Sequence, residues 1–169
     1  MKRRALVASL LAAPLAGAQT TPSAASGDGA WRLEALQPPA GLALFDATGA
    51  VVRRYATTTL DGRASSRVSA IRDNPKRRSF VLALPEIAEV WEISYDPKAE
   101  PIYDGLVHDW RLGEGIATPG RFGVRRTRLE RREAVERFEF DATGARVIDL
   151  DRGTVIHLDV RRVIAPPQR

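Results

Sequence analysis

Two identical hexapeptides, Phe-Asp-Ala-Thr-Gly-Ala, occupy residues 45–50 and 140–145. Each sits between two short runs rich in apolar residues, and each has the chemistry of a tight turn. The Asp side chain can bond to backbone amides just ahead of it, and the Gly supplies a left-handed conformation without steric cost. A chain that reverses within four residues and then resumes an apolar run is a hairpin. Gly41 to Phe45 leads into the Asp46–Gly49 turn, and Ala50 to Tyr55 leads away. Val135 to Phe140 alternates, Asp141–Gly144 turns and Ala145 to Leu150 continues. Asp151-Arg152-Gly153 then turns again before Thr154 to Val160. Ser79 to Leu84 is a continuous apolar run of strand length, which predicts burial on both faces. Pro85 to Glu89 breaks that run, and Val90 to Tyr95 returns with Trp91, Ile93 and Tyr95 on one face. These features predict an all-β fold.

The two hexapeptides begin at Phe45 and Phe140. That separation is close to twice the roughly 40–50 residues of a propeller blade. It fits either a repeated blade or one turn used twice. Residues 96–119 break the rhythm with Pro97, Pro101, Gly105, Gly113, Gly115 and Pro119. A loop of that length inside a compact domain is usually functional or inserted. Leu129 to Arg137 is short and charged, and reads as a solvated connector.

The N-terminus reads as an export signal. Lys2, Arg3 and Arg4 precede an apolar stretch from Ala5 to Ala16, and Ala16-Gly17-Ala18 offers small residues for cleavage before Gln19. The apolar run is shorter than the about 20 residues of a membrane span. Arg3-Arg4 also suits the twin-arginine route, so export by the Sec or the Tat machinery to the periplasm is expected, with no membrane anchor after signal removal. The resulting organisation is a signal peptide over 1–18, a flexible leader over 19–30, one domain over 31–164 and a tail over 165–169. Loss of Lys2, Arg3 and Arg4 removes three of the charges behind the formal net charge of +5. The mature chain is therefore nearly balanced, and nucleic acid is not expected as a partner. With no Cys and with Met1 as the only Met, covalent c-type haem and thiolate or thioether ligation are excluded. His108 and His157 are the only imidazoles.

A longer pattern spans Arg67 to Thr127. Ser-Arg-Val-Ser-Ala-Ile-Arg-Asp (66–73) is followed by Arg-Ser-Phe-Val-Leu-Ala-Leu (78–84) and Glu-Val-Trp-Glu-Ile-Ser-Tyr-Asp-Pro (89–97). Pro-Ile-Tyr-Asp-Gly-Leu-Val-His-Asp-Trp-Arg (101–111), Gly-Glu-Gly-Ile-Ala (113–117) and Val-Arg-Arg-Thr (124–127) complete it. This pattern resembles the cytochrome d1 haem-domain family: cytochrome cd nitrite reductases, their reductase-like paralogues and the propeller proteins that mature haem d1. The resemblance implies a partial β-propeller of about three blades, haem d1 as cofactor, and a place in nitrite respiration and denitrification. A complete propeller hides its edge strands by closing. Three blades leave edges open, which implies self-association or docking to a partner that bears a d1 propeller. In the family, a His just before a Gly-rich turn binds the haem iron. The matching place here, Phe138 to Gly144, holds no His, so ligation there does not carry over.

The remaining chemical candidates are few. His108, with Asp109, Trp110 and Tyr103 close in sequence, is the candidate metal ligand and haem-binding residue. His157 lies on the strand face shared by Val155 and Asp159, where Asp159 could orient it. Arg125 and Arg126 fall inside the family-like stretch, and forked guanidinium groups suit the carboxylates of haem d1. Gly113-Glu-Gly-Ile-Ala lacks the spacing of a phosphate loop, and no hydrolase motif is present. The resulting expectation is a non-catalytic haem-binding or accessory module. The alternatives are an oxidoreductase, either nitrite reductase-like or acting on a haem d1 precursor, that works only in a full propeller, and an inactive truncated paralogue. Intact-mass analysis of the chain recovered from a periplasmic extract is expected to give a species beginning at Gln19. A species beginning at Met1 would contradict the export reading.

Overall fold

The computed structural model describes residues 21–37, 40–102, 118–130 and 133–159. They form three antiparallel sheets, each a meander in which sequential strands are neighbours. The first holds β1 (Ser23–Ala25), β2 (Trp31–Leu36), β3 (Gly41–Asp46) and β4 (Val51–Ala56). The second holds β5 (Ala70–Asn74), β6 (Ser79–Leu84), β7 (Glu89–Ser94) and β8 (Val124–Arg128). The third holds β9 (Phe138–Phe140), β10 (Arg146–Asp149) and β11 (Val155–His157). The fold is all-β, and the three sheets are the blades of a partial propeller. A 3-10 turn at Pro85–Ile87 joins β6 to β7, and Ala88 closes it with φ 51°.

The second sheet is the middle layer, and every residue of β6 and β7 is buried. Alternation sends Phe80, Leu82, Leu84, Trp91 and Ile93 toward the first sheet, where they meet Leu33, Ala35, Leu42 and Leu44. The opposite face sends Val81, Ala83 and Val90 toward Phe138, Val147 and Ile156 of the third sheet. Two cores therefore share one sheet, which explains why Ser79–Leu84 has no polar face. Trp91, Ile93 and Tyr95 lie on one face, as their spacing predicts.

The first strands of the three sheets lie side by side, and so do the turns that follow them. The Gly27 amide donates to Asp73 Oδ2 at 2.8 Å, and Asn74 Nδ2 donates to the Gly144 carbonyl at 2.7 Å. Lys76 Nζ also donates to the Ala142 carbonyl. The turns after the first and third strands of each sheet thus share one end of the stack, called here the upper end. The turns after the second strands and the links between sheets share the lower end, where the Leu129 amide donates to the Ala88 carbonyl at 2.8 Å.

Both hexapeptides form the expected turns. Asp46 Oδ1 accepts from Thr48 Oγ1 at 2.6 Å and from the amides of Thr48 and Ala50 at 2.9 and 3.0 Å. Asp141 Oδ1 accepts from Thr143 Oγ1 at 3.0 Å and from the Arg146 amide at 3.2 Å. The threonine hydroxyls hold both carboxyls below the ordinary aspartate value. Gly49 and Gly144 take φ of 84° and 75°. The first hexapeptide, however, joins the third and fourth strands of its sheet, whereas the second joins the first and second strands. The identity is a turn used twice, and the blade-repeat reading falls.

The Ser- and Ala-rich stretch read as a flexible leader is also structured in part. Ser23–Ala25 pair with Arg32–Glu34 as β1, and the Ser26 hydroxyl bridges Asp28 and the Trp31 backbone. Small residues fit because this strand packs against the neighbouring β5 rather than filling a core. The segments read as signal peptide and tail lie outside the described residues. Leu82→Ala, which empties the first core, is expected to lower unfolding free energy by roughly 2–5 kcal/mol in urea melts. Val51→Ala, at a site 43% exposed, should change it by less than about 0.5 kcal/mol. Equal costs would contradict the layered packing.

Candidate functional site

The sequence nominates His108, His157, Arg125 and Arg126, and the fold separates them into different environments. His108 lies outside the described residues, together with Tyr103, Asp109 and Trp110. The ends of its segment are fixed at the upper end of the stack. Ile102 and Thr118 exchange two backbone hydrogen bonds of 2.9 Å, and Ser94 forms a parallel bridge with Arg121.

His157 ends β11, paired in register with Arg146, and also lies at the upper end. It is exposed, as are Val155 and Asp159, while Ile156 is buried in the second core. The expected alternation is therefore present. The expected partnership with Asp159 is not. The Asp159 carboxylate takes two hydrogen bonds from Arg77, at 2.8 and 3.1 Å, and the His157 imidazole makes no hydrogen bond among the described residues. The guanidinium competes successfully for that carboxylate because it offers a two-pronged charged donor.

Arg126 is committed to the scaffold. Its guanidinium lies over the Trp91 ring at 4.2 Å, Nη1 donates to the Thr58 carbonyl at 2.7 Å, and Glu89 Oε2 is 3.4 Å away. Glu89 is 3% exposed and also accepts from Trp91 Nε1 at 2.6 Å, with Arg128 Nε at 3.4 Å. This cluster sits toward the lower end, and its work is to neutralise a buried carboxylate. Arg125, one residue earlier, points to the other face and donates to the Glu100 carbonyl at 3.2 Å. Among the described residues no carboxylate holds it, which leaves its remaining donors open there at the upper end.

Sequence reasoning missed the second buried carboxylate. Glu92, also 3% exposed, accepts two bonds from Arg77 at 2.7 and 3.0 Å and one from Ser79 Oγ at 2.8 Å. Its hydrogen bonds raise the Arg77 pKa, so the guanidinium stays charged at any ordinary pH. Arg77 thus ties the middle sheet to Asp159 of the third. A further cleft at the upper end, between the first two sheets, is lined by Gly27, Asp28, Pro75, Arg78 and Tyr95. Tyr95 OH donates to Asp73 at 2.9 Å. Burial, then this bond, pushes the phenol above its usual value.

No buried side-chain nitrogen or oxygen lacks a partner among the described residues, so none waits for a ligand. No cluster of His, Asp and Glu among them is placed to hold a metal ion. Two clefts among the described residues, one beside Ser23 and Glu34 and one beside Tyr95, measure about 200 and 170 Å³, below the roughly 300 Å³ of the smallest ligand pockets, so neither encloses a tetrapyrrole. What the described residues offer at the upper end is Arg125 beside a flank of the His108 segment, and His157 on the outer face of the third sheet. No helix among the described residues is long and apolar enough to cross a membrane.

Comparison with known proteins gives three findings. The model of the cytochrome D1 heme domain matches residues 6–105. A dihydro-heme d1 dehydrogenase from Pseudomonas aeruginosa is 41% identical over 81 residues, which cover 47% of this chain and 16% of that protein. Among solved structures, the dihydro-heme d1 dehydrogenase NirN in complex with DHE superposes with a TM-score of 0.55 at 25% identity. That superposition covers 79% of this chain and 26% of the other, so the chain spans only a minor part of either relative. Arg126→Ala, which takes from Glu89 one of its two cations at 3.4 Å, is expected to cost roughly 2–4 kcal/mol in urea melts. Arg125→Ala should cost less than about 0.5 kcal/mol. The reverse order would contradict the division of labour between the two arginines.

Proposed function

From the premise that this chain belongs to the cytochrome d1 haem-domain family, we propose that it is a periplasmic, non-catalytic accessory module of haem d1 metabolism. It would hold haem d1, or its dihydro precursor, against the upper end of the stack. The observation that carries this reading is the placement of Arg125 beside the flank of the His108 segment, through its bond to the Glu100 carbonyl, with His157 at the same end on the outer face of the third sheet. Among the described residues Arg125 keeps guanidinium donors suited to a carboxylate of the tetrapyrrole, and no group bonds the His157 ring nitrogens. The iron ligand would come from His108. Because the described residues do not enclose the group, the rest of the enclosure would come from a d1-propeller partner or from a second copy, seated on an open outer sheet.

A second reading is an oxidoreductase that acts on the haem d1 precursor after assembly into a larger propeller. The likeness to a dihydro-heme d1 dehydrogenase favours it. The two readings part on whether bound dihydro-haem d1 is oxidised in the presence of an electron acceptor.

An absorbance titration of the chain with haem d1 tests the binding reading. A saturable spectral shift is expected, lost in His108→Ala and weakened in His157→Ala and Arg125→Ala. No shift at protein concentrations well above micromolar, or a shift that all three variants keep unchanged, would overturn it.

A further inference from the structure

We propose that β4 is a docking edge for an extended polypeptide segment carrying two consecutive carboxylates. It would add to the first sheet as a fifth strand. β4 is the last strand of its sheet, and nothing among the described residues pairs with its outer edge. Val51, Val52, Arg53 and Arg54 are all exposed, with the two valines 43% and 44% so. Unpaired amides and carbonyls along such an edge are a template for another strand.

The charge on this edge selects the partner. Several arginines elsewhere are paired with carboxylates: Arg32 with Glu34, Arg67 with Glu86 and Glu136, Arg77 with Glu92 and Asp159, Arg137 with Asp151. Arg53 and Arg54 have none among the described residues. The neighbouring sheet makes the contrast sharper. Its outermost strand begins with the same triplet, Val124-Arg125-Arg126, as Val52-Arg53-Arg54 in β4. In β8 each guanidinium meets protein oxygen, Arg125 through one bond to the Glu100 carbonyl and Arg126 within the Trp91, Thr58 and Glu89 cluster. In β4 neither does among the described residues.

Geometry presents the two cations on opposite faces. Arg53 pairs in register with Leu44 and so faces the second sheet, whereas Arg54 pairs with Ala43 and faces outward. Arg53 lies over the Tyr55 ring at 5.4 Å, and Tyr55 OH donates to the Phe122 carbonyl at 2.9 Å. Arg121, also without a carboxylate among the described residues, covers Phe122 and Trp31 at 4.7 and 5.3 Å. The rim of the first sheet is therefore a line of cations laid on aromatic rings. An added strand alternates its own side chains, so consecutive acidic residues would meet Arg53 on one face and Arg54 on the other. The same two charges repel β4 of a second copy, which directs the edge toward an acidic strand.

The test uses the whole chain and a fluorescent peptide, Thr-Val-Glu-Glu-Val-Thr, followed by anisotropy at low salt. Saturable binding is expected, weakened at least about tenfold in the Arg53→Glu/Arg54→Glu variant, whose melting curve should match the parent. N-methylation of alternate peptide amides, which blocks ladder hydrogen bonds, should weaken it similarly. Arg72→Glu, on the inner strand β5, should leave binding unchanged. Absence of saturable binding would overturn the proposal. So would binding that the double variant or the N-methyl peptide retains, or that Arg72→Glu reduces equally, since these would mark a diffuse charge effect.

Discussion

Burial of β6 and β7 on both faces is the constraint on which the rest of this structure depends. A strand with one polar face can close a two-layer sandwich, but a strand apolar on both faces demands a layer on each side. Ser79–Leu84 and Glu89–Ser94 therefore hold the first and third sheets together without those sheets touching through a common core. The two carboxylates in these strands, Glu89 and Glu92, are each closed by arginines. Removing such a cation is costly, because the carboxylate would remain buried without its counter-charge.

That arrangement shapes what the surface can do. Charged residues near the middle layer are consumed as clasps: Arg126 onto Glu89 and Trp91, Arg77 across to Asp159. Chemistry directed outward falls to residues at the upper end and on the outer sheets, where few internal partners compete. The faces that a further blade would cover bear Arg32, Glu34 and Phe45 on one side and Glu139, Arg146 and His157 on the other. On the first of these faces an Arg32–Glu34 ion pair, with Arg32 also stacked over Phe45, shields the apolar surface.

The fold was largely legible because it rests on local signals. Two turns with the same Asp-x-Thr-Gly chemistry, the unbroken run at Ser79–Leu84 and the single-face spacing of Trp91, Ile93 and Tyr95 each report on neighbouring residues. β1 was hidden because Ser23–Ala25 are small and show no apolar alternation, and their pairing depends on β2. β8 was hidden because Val-Arg-Arg-Thr-Arg has no apolar alternation. The site was less legible because its outcome is decided by distant competition. His157 was placed correctly by alternation, but the capture of Asp159 by Arg77 joins residues far apart in the chain. Nothing in the spacing of Arg125 and Arg126 reveals that one covers a buried glutamate and the other does not. The Gly49 and Gly144 turns show the opposite hazard, since identical sequence marks identical local chemistry and not an equivalent place in the blade.

Native-state hydrogen exchange resolved by residue tests the layered account most directly. The amides of β6 and β7 are expected to exchange only through global unfolding, with exchange free energies equal to that of unfolding. Those at the outer edge of β4 and in the short β1 should exchange through local opening at far lower cost. Exchange of Phe80–Leu84 and Val90–Ile93 as fast as that of Val51–Arg54 would contradict the claim that one doubly buried sheet holds the molecule together.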